Sequence, residues 1–203
     1  QFSRAFREVS MIVSTSTKLA HLQKKIMNQD FQESRGLSNE VSYYILGYAP
    51  QDKPIVREAI DKMERRFNQA SVGVDIVEFN VYQIMWKLLD EIGIRQNVFD
   101  MEENEGIEYL TEQLNNVLKM TDSENLFVKY MEKHLESQNS VIFLTGIGEI
   151  FPLIRAHKIL NTMHQIISSV PVILFYPGEY NSLSLSMFGE TKEDNYYRAF
   201  QIN

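Results

Sequence analysis

No cysteine occurs anywhere in this 203-residue chain. That excludes a disulfide framework, a cysteine nucleophile and any thiolate-bound metal, and it fits a reducing cytosol. The chain also lacks an apolar run of about eighteen residues, which a membrane-spanning helix needs. Its first residues, QFSRAFREVSMIVSTST, lack the long apolar stretch of a signal peptide. Positive charge is short as well: 20 Lys and Arg stand against 27 Asp and Glu, for a net charge of −7. Binding to a nucleic-acid backbone needs a basic face, and here positive charge accumulates over no long stretch, so strong intrinsic nucleic-acid binding is not expected. The familiar catalytic signatures are missing too. There is no Gly-x-Ser-x-Gly elbow, no histidine with a convincing serine, and no Gly-Lys-Ser/Thr of a P-loop. The carboxylates are too numerous for any pair to stand out. No enzyme, cofactor or metal is predicted.

What is present is unevenly placed. Residues 100–136 carry ten acids (Asp100, Glu102, Glu103, Glu105, Glu108, Glu112, Asp122, Glu124, Glu132 and Glu136) against three lysines (Lys119, Lys129 and Lys133). The whole acidic excess therefore lies in one segment, either as a solvated pair of helices or as a docking face for a basic partner surface. A chain of this length buries roughly 70–75% of its unfolded surface and needs no staple to fold. We read it as one α/β domain over 1–203 with a helical insertion.

The periodicities set the order of elements. Leu19, Leu22 and Ile26 make one stripe of a helix over 17–28, and the polar residues 31–40 read as a loop. VSYYILG at 41–47 is a strand stopped by glycine. A helix over 53–70 follows, with Pro54 in its first turn and Val56, Ile60, Met63 and Phe67 on its apolar stripe. VGVDIVEF at 72–79 is the second strand, and Asn80 caps a helix over 81–92 built on Ile84, Met85 and Leu88. Residues 94–136 read as all-helical, with Leu110, Leu114, Val117 and Leu118 on one stripe and Leu126, Phe127, Tyr130 and Met131 on another. This is too long for an ordinary crossover, so it is predicted to be a helical insertion between strands two and three. The third strand covers 140–145, a helix 151–167, a fourth strand 172–176 and a short last strand 199–202. Strands alternating with helices argue for a mostly parallel sheet with helices on both faces.

Two segments draw attention as sites, because ligands of α/β sheets bind outside the carboxyl ends of the strands. In VIFLTGIGE (141–149) a strand, a glycine turn and a helix start make a possible anion cradle from Thr145, Gly146 and Gly148, with Arg155 beyond it. The dinucleotide fingerprint fails, because position 151 is Phe where a third glycine is required. A tight strand-to-helix turn, an anion site and a partner contact all remain open for this segment. His157 and His164 are seven apart, too distant for the usual zinc pairing, and His157 reads as a hydrogen-bonded residue at the sheet edge. In the second segment Pro177-Gly178 is predicted to end strand VILFY in a turn, followed by Tyr180. Seven aromatics fall between Phe175 and Phe200, more than twice the chain's 11%. They either pack a C-terminal segment on the sheet or form an interface, and Tyr196, Tyr197 and Arg198 are the best interface candidates.

The blocks TGIGEIFPLIRAH at 145–157, FYPGEY at 175–180, LSMFG at 185–189 and DNYYRAF at 194–200, in this order and spacing, are similar to the BrxB family. These are components of BREX (bacteriophage exclusion) defence systems of bacteria. The resemblance is strongest over 139–202, extends more weakly to 41–47, 53–70 and 72–79, and matches the helical insertion only in type. It implies a bacterial cytoplasmic protein that acts as a non-enzymatic adaptor with other BREX proteins, above all PglZ, a protein of the alkaline-phosphatase superfamily. It also implies an α/β sheet reminiscent of P-loop NTPases without the Walker A motif. The family pattern carries over onto Thr145, Gly146, Gly148, Pro152, Arg155, His157, Pro177, Gly178, Tyr180, Phe188, Gly189, Asn195, Tyr196, Tyr197 and Arg198, with no catalytic role for any of them. The residues also leave a different reading, a degenerate nucleotide or anion sensor using the turn at 145–149 and Arg155.

Overall fold

A computed structural model describes residues 13–28, 31, 43–69, 73–121, 123–180, 185–187, 191–193 and 199–203. Five parallel strands form the sheet: β1 (Tyr43–Tyr48), β2 (Asp75–Asn80), β3 (Ser140–Thr145), β4 (Val172–Tyr180) and β7 (Ala199–Gln201). Their order across the sheet is β2-β3-β4-β1-β7. A hairpin of β5 (Leu185–Met187) and β6 (Thr191–Glu193) joins antiparallel to the far end of β4. The α/β class and the parallel sheet expected from the sequence are what the structure shows.

Both faces of the sheet are covered, which is why its strands read as nearly unbroken apolar runs. Alternate residues point to opposite sides. Val141 and Phe143 of β3, with Ile173 and Phe175 of β4, pack on helices α1 (Thr15–Met27) and α2 (Lys53–Gln69). Ile142 and Leu144, with Val172, Leu174 and Tyr176, pack on the other layer. That layer consists of α3 (Val81–Ile92), α4 (Arg95–Val117), α5 (Leu126–His134), the single turn α6 (Ile147–Ile150) and α7 (Ala156–Ile166). The stripe Val56, Ile60, Met63 and Phe67 is the buried face of α2. The helical insertion lies between strands two and three as expected. It is integral to the fold, since Leu110, Leu114, Phe127 and Met131 are part of the core. Inside α4 the backbone breaks at Gly106, which sits at φ 85.

Three local expectations need correction. The helix expected over 151–167 is α7 alone and starts only at Ala156, because residues 151–155 form a turn that holds Pro152 and separates α7 from α6. Proline disfavours helical geometry in the residue before it, so Phe151 leaves the helix at φ −69, ψ 139 and α7 starts anew. Pro177-Gly178 does not end its strand, because β4 runs on to Tyr180. Pro177 is still in register with Tyr48 of β1, and from Gly178 onward β4 pairs instead with β5. The second strand begins at Asp75 rather than at 72. Most of the loop expected over 31–40 lies outside the described residues, and Phe31 itself is helical and buried.

Candidate functional site

At the carboxyl edge of the sheet β2 and β3 end together, with Asn80 paired to Thr145. Asn80 is the cap of α3, its side-chain oxygen accepting the Gln83 N–H at 3.1 Å. Gly146 follows Thr145 at φ 82, a conformation that favours glycine. A Cβ at this position would overlap the Asn80 side-chain oxygen and come within 3.0 Å of the Tyr82 nitrogen. The glycine is therefore fixed both by its backbone angle and by the cap it presses against.

Thr145 is buried, and its hydroxyl donates to a Glu78 oxygen at 2.5 Å. Arg57 of α2 donates to both oxygens of Glu78, at 2.6 and 2.9 Å, and through Nε to Asp61 at 2.9 Å. The Glu78 hydrogen bond, partly opposed by burial, is the main reason the guanidinium holds its proton still more firmly than usual. Sequence reasoning missed Glu78 and Arg57. The available signal was an acid inside an apolar strand, VGVDIVEF, at a position facing a helix, where a carboxylate needs a partner. On the same helix Glu64 has its pKa raised, first by burial and then by the Glu78 charge.

The turn after β3 is tied across the edge to the start of α2: Glu149 pairs with Lys53 at 2.5 Å. Burial, with the Glu149 charge adding to it, pushes the Tyr48 hydroxyl up to about 12. Between Tyr48 and α2 lies a short turn, Pro50–Asp52, whose Asp52 accepts the Thr15 hydroxyl at 2.6 Å. Gly148 is inside α6, and the Arg155 guanidinium lies 5.1 Å from the Phe151 ring centre at the start of α7. His157 is half-buried on the first turn of α7, while His164 lies with its ring centre 3.7 Å from that of Tyr43.

The second segment is structural in the part that is described. Gly47 lets two strands close up, because a Cβ there would lie 2.6 Å from the Gly178 carbonyl oxygen. Tyr180 is buried and donates its hydroxyl to the Ala199 carbonyl at 2.9 Å, holding β7. Tyr196, Tyr197 and Arg198 lie outside the described residues, as do Phe188, Gly189 and Asn195. Two surface clefts, one at the end of α1 beside β7 and one between α1 and α2, take no lining residue from 145–157.

Chemically, then, the edge is an ion-paired and hydrogen-bonded seam. Its carboxylates Glu78 and Glu149 would repel an anion, and the hydroxyl and cations beside them are already engaged. Fold and seam define an α/β protein built on an all-parallel sheet whose carboxyl edge is knitted shut among the described residues. Comparison with known proteins takes this further. The family model described as BREX protein BrxB matches residues 77–202. A BREX protein BrxB from Bacillus cereus (strain H3081.97) is 40% identical over 185 residues, covering 91% of this chain and 95% of that protein. A BREX protein BrxB from Escherichia coli O9:H4 (strain HS) is 31% identical over 185 residues, covering 91% and 90%. The chain belongs to the BrxB family. The match takes in the helical insertion, which the sequence blocks had placed only by type. No solved structure gives a significant match.

Proposed function

We propose that this chain is a non-enzymatic adaptor of a BREX phage-defence complex, acting in the cytoplasm and holding PglZ by direct protein contact. The observation that carries the reading, beside family membership, is the state of the carboxyl edge. Where an α/β enzyme would open a substrate site, Thr145, Glu78, Arg57 and Asp61 satisfy one another and Lys53 is bound to Glu149. No helix among the described residues is long and apolar enough to cross a membrane.

The same edge supports kinship with P-loop NTPases as part of the proposal. A P-loop is strand, G-x-x-x-x-G-K-[ST], helix. Between β1 and α2 this chain reads GYAPQDKP, from Gly47 to Pro54. Asp52 replaces the second glycine and Pro54 replaces the hydroxyl that would hold magnesium. A lysine does stand at the P-loop position, Lys53, but it is held by Glu149. A carboxylate in the cradle and a paired lysine both work against phosphate, so the sensor reading is the weaker one.

Co-expression of the tagged chain with the other proteins of its BREX locus tests the proposal. PglZ should co-purify stoichiometrically, and the complex should show no nucleotide hydrolysis that depends on this chain. Failure of the purified pair to associate at micromolar concentration and low salt sinks the adaptor reading. A thermal shift or titration heat with millimolar ATP or GTP would move the assignment to a nucleotide sensor.

A further inference from the structure

On the layer formed by α3 and α4, aromatic side chains stand out from the surface in sequence. Tyr82, whose backbone abuts Gly146 at the sheet edge, meets Trp86 edge-on with ring centres 6.2 Å apart. Trp86 stacks on Phe99 at 5.7 Å with the rings 15° from parallel. The Arg95 guanidinium lies 4.8 Å from the Trp86 ring centre, its charge answered by Asp90 at 2.6 Å. Phe99 is 50% exposed and Tyr82 37%. Exposed aromatics that touch one another in a row, unlike apolar residues scattered singly, mark an interaction surface. Trp, Tyr and Arg are also the side chains that dominate binding hot spots.

Beyond Arg95, the charge along α4 is of one sign. From 96 to 118 the chain has six acids and no lysine or arginine. All six acids are exposed, and none enters an ion pair among the described residues. Glu102 and Glu103 follow Phe99 by three and four residues, so they share its face of α4. We propose that Tyr82, Trp86 and Phe99, with the carboxylates of α4, form a docking surface for a basic segment of another protein, one that offers an apolar ridge flanked by Lys or Arg. The sign of the field rejects nucleic acid and anionic lipid. It also rejects a second copy by two-fold pairing, which would set the same acidic patch against itself.

The inference rests on the adaptor reading and names the surface used. Trp86 is the chain's one tryptophan, so 5-fluorotryptophan labelling gives a single ¹⁹F resonance placed in the middle of this ladder. Adding the partner retained in the co-purification should shift or broaden that resonance, and affinity should fall steeply with salt. The triple variant F99S/E102K/E103K should bind at least about thirtyfold more weakly, the loss of one hot spot. Glu132→Lys, an exposed charge reversal on α5, should bind as wild type. Binding with an unmoved ¹⁹F resonance, or equal binding by a triple variant that melts like wild type, overturns the surface while leaving the adaptor reading intact. Should the triple variant not fold, the ¹⁹F titration of the wild-type chain decides. Absence of any locus partner removes both.

Discussion

Arg57 grips both carboxylate oxygens of Glu78, at 2.6 and 2.9 Å, and so ties α2 to the edge strand β2. The two partners are unequally placed: the Glu78 side chain is 17% exposed and that of Arg57 is 41%. Removing the arginine strands a mostly buried carboxylate, whereas removing the acid leaves Arg57 with Asp61 and water.

Arg57→Ala should therefore destabilise the fold by about 2 kcal/mol, below the ~3–5 kcal/mol of a fully buried pair. Glu78→Ala should cost less. Urea unfolding of both single variants checks the order, and the reverse order would mean that Glu78 is not the desolvated partner. Thr145→Val should cost about 1 kcal/mol, one hydrogen bond to a carboxylate that still has Arg57.

Gly146→Ala should cost about 2 kcal/mol, from left-handed backbone strain and disturbance of the Asn80 cap. Part of that cost is a clash with the Asn80 side chain itself. The double variant G146A/N80A should consequently be more stable than the sum of the single effects allows. Strict additivity in thermal or urea unfolding would show that the backbone angle and the approach to the Tyr82 nitrogen, not the Asn80 side chain, account for the loss.

How far the sequence could be read depended on whether the deciding interaction was local. Helix α3 runs over Val81–Ile92 as expected, because an Asn cap and a glycine stop lie within it or next to it. Strand β3 covers Ser140–Thr145 as expected, because a short apolar run between turn residues has few alternatives. The break at Pro152 was missed because a proline near a helix start is ordinarily tolerated, while here it follows the turn α6 and forces a restart. Pro177-Gly178 was misread because the hairpin that prolongs β4 is a pairing with residues 185–187. Of the candidate site, Thr145 and Gly146 have structural places, a hydrogen bond to Glu78 and a left-handed turn. Their partners Glu78, Arg57 and Asn80 come from other elements, and no local pattern announces them. The interface expected at Tyr196, Tyr197 and Arg198 stays a proposal, tested by whether Arg198→Ala lowers partner capture without lowering the melting temperature.

Glu64 supplies a pH test. Its folded pKa is raised above the ordinary 4.5, burial being the larger cause and the Glu78 charge the next. A raised acid binds more protons folded than unfolded, so stability falls as pH rises from the ordinary value through the raised one. Above the raised pKa the wild-type chain carries that penalty, and below the ordinary carboxylate range it carries none. Glu64→Gln should thus raise the melting temperature at pH 7 and lose the advantage near pH 4. A constant difference across that range would mean that the gain does not come from the proton.

Tyr180 decides how the last strand is held. Its hydroxyl reaches the Ala199 carbonyl at 2.9 Å, and β7 is only three residues long, paired on one side to Tyr43, Tyr44 and Ile45. An edge strand this short has little else to fix it, although Ile202 adds a buried side chain and a backbone bond to Ile45 at 3.0 Å. Tyr180→Phe keeps the ring and deletes the bond, and should cost about 1 kcal/mol globally. Hydrogen exchange localises the effect. Amides of 199–202 should exchange faster by about tenfold or less, which is the ceiling that about 1.4 kcal/mol sets, while those of β3 should follow global stability alone. If exchange in 199–202 is unchanged, the neighbouring β1 ladder and Ile202 hold the strand without the Tyr180 hydrogen bond.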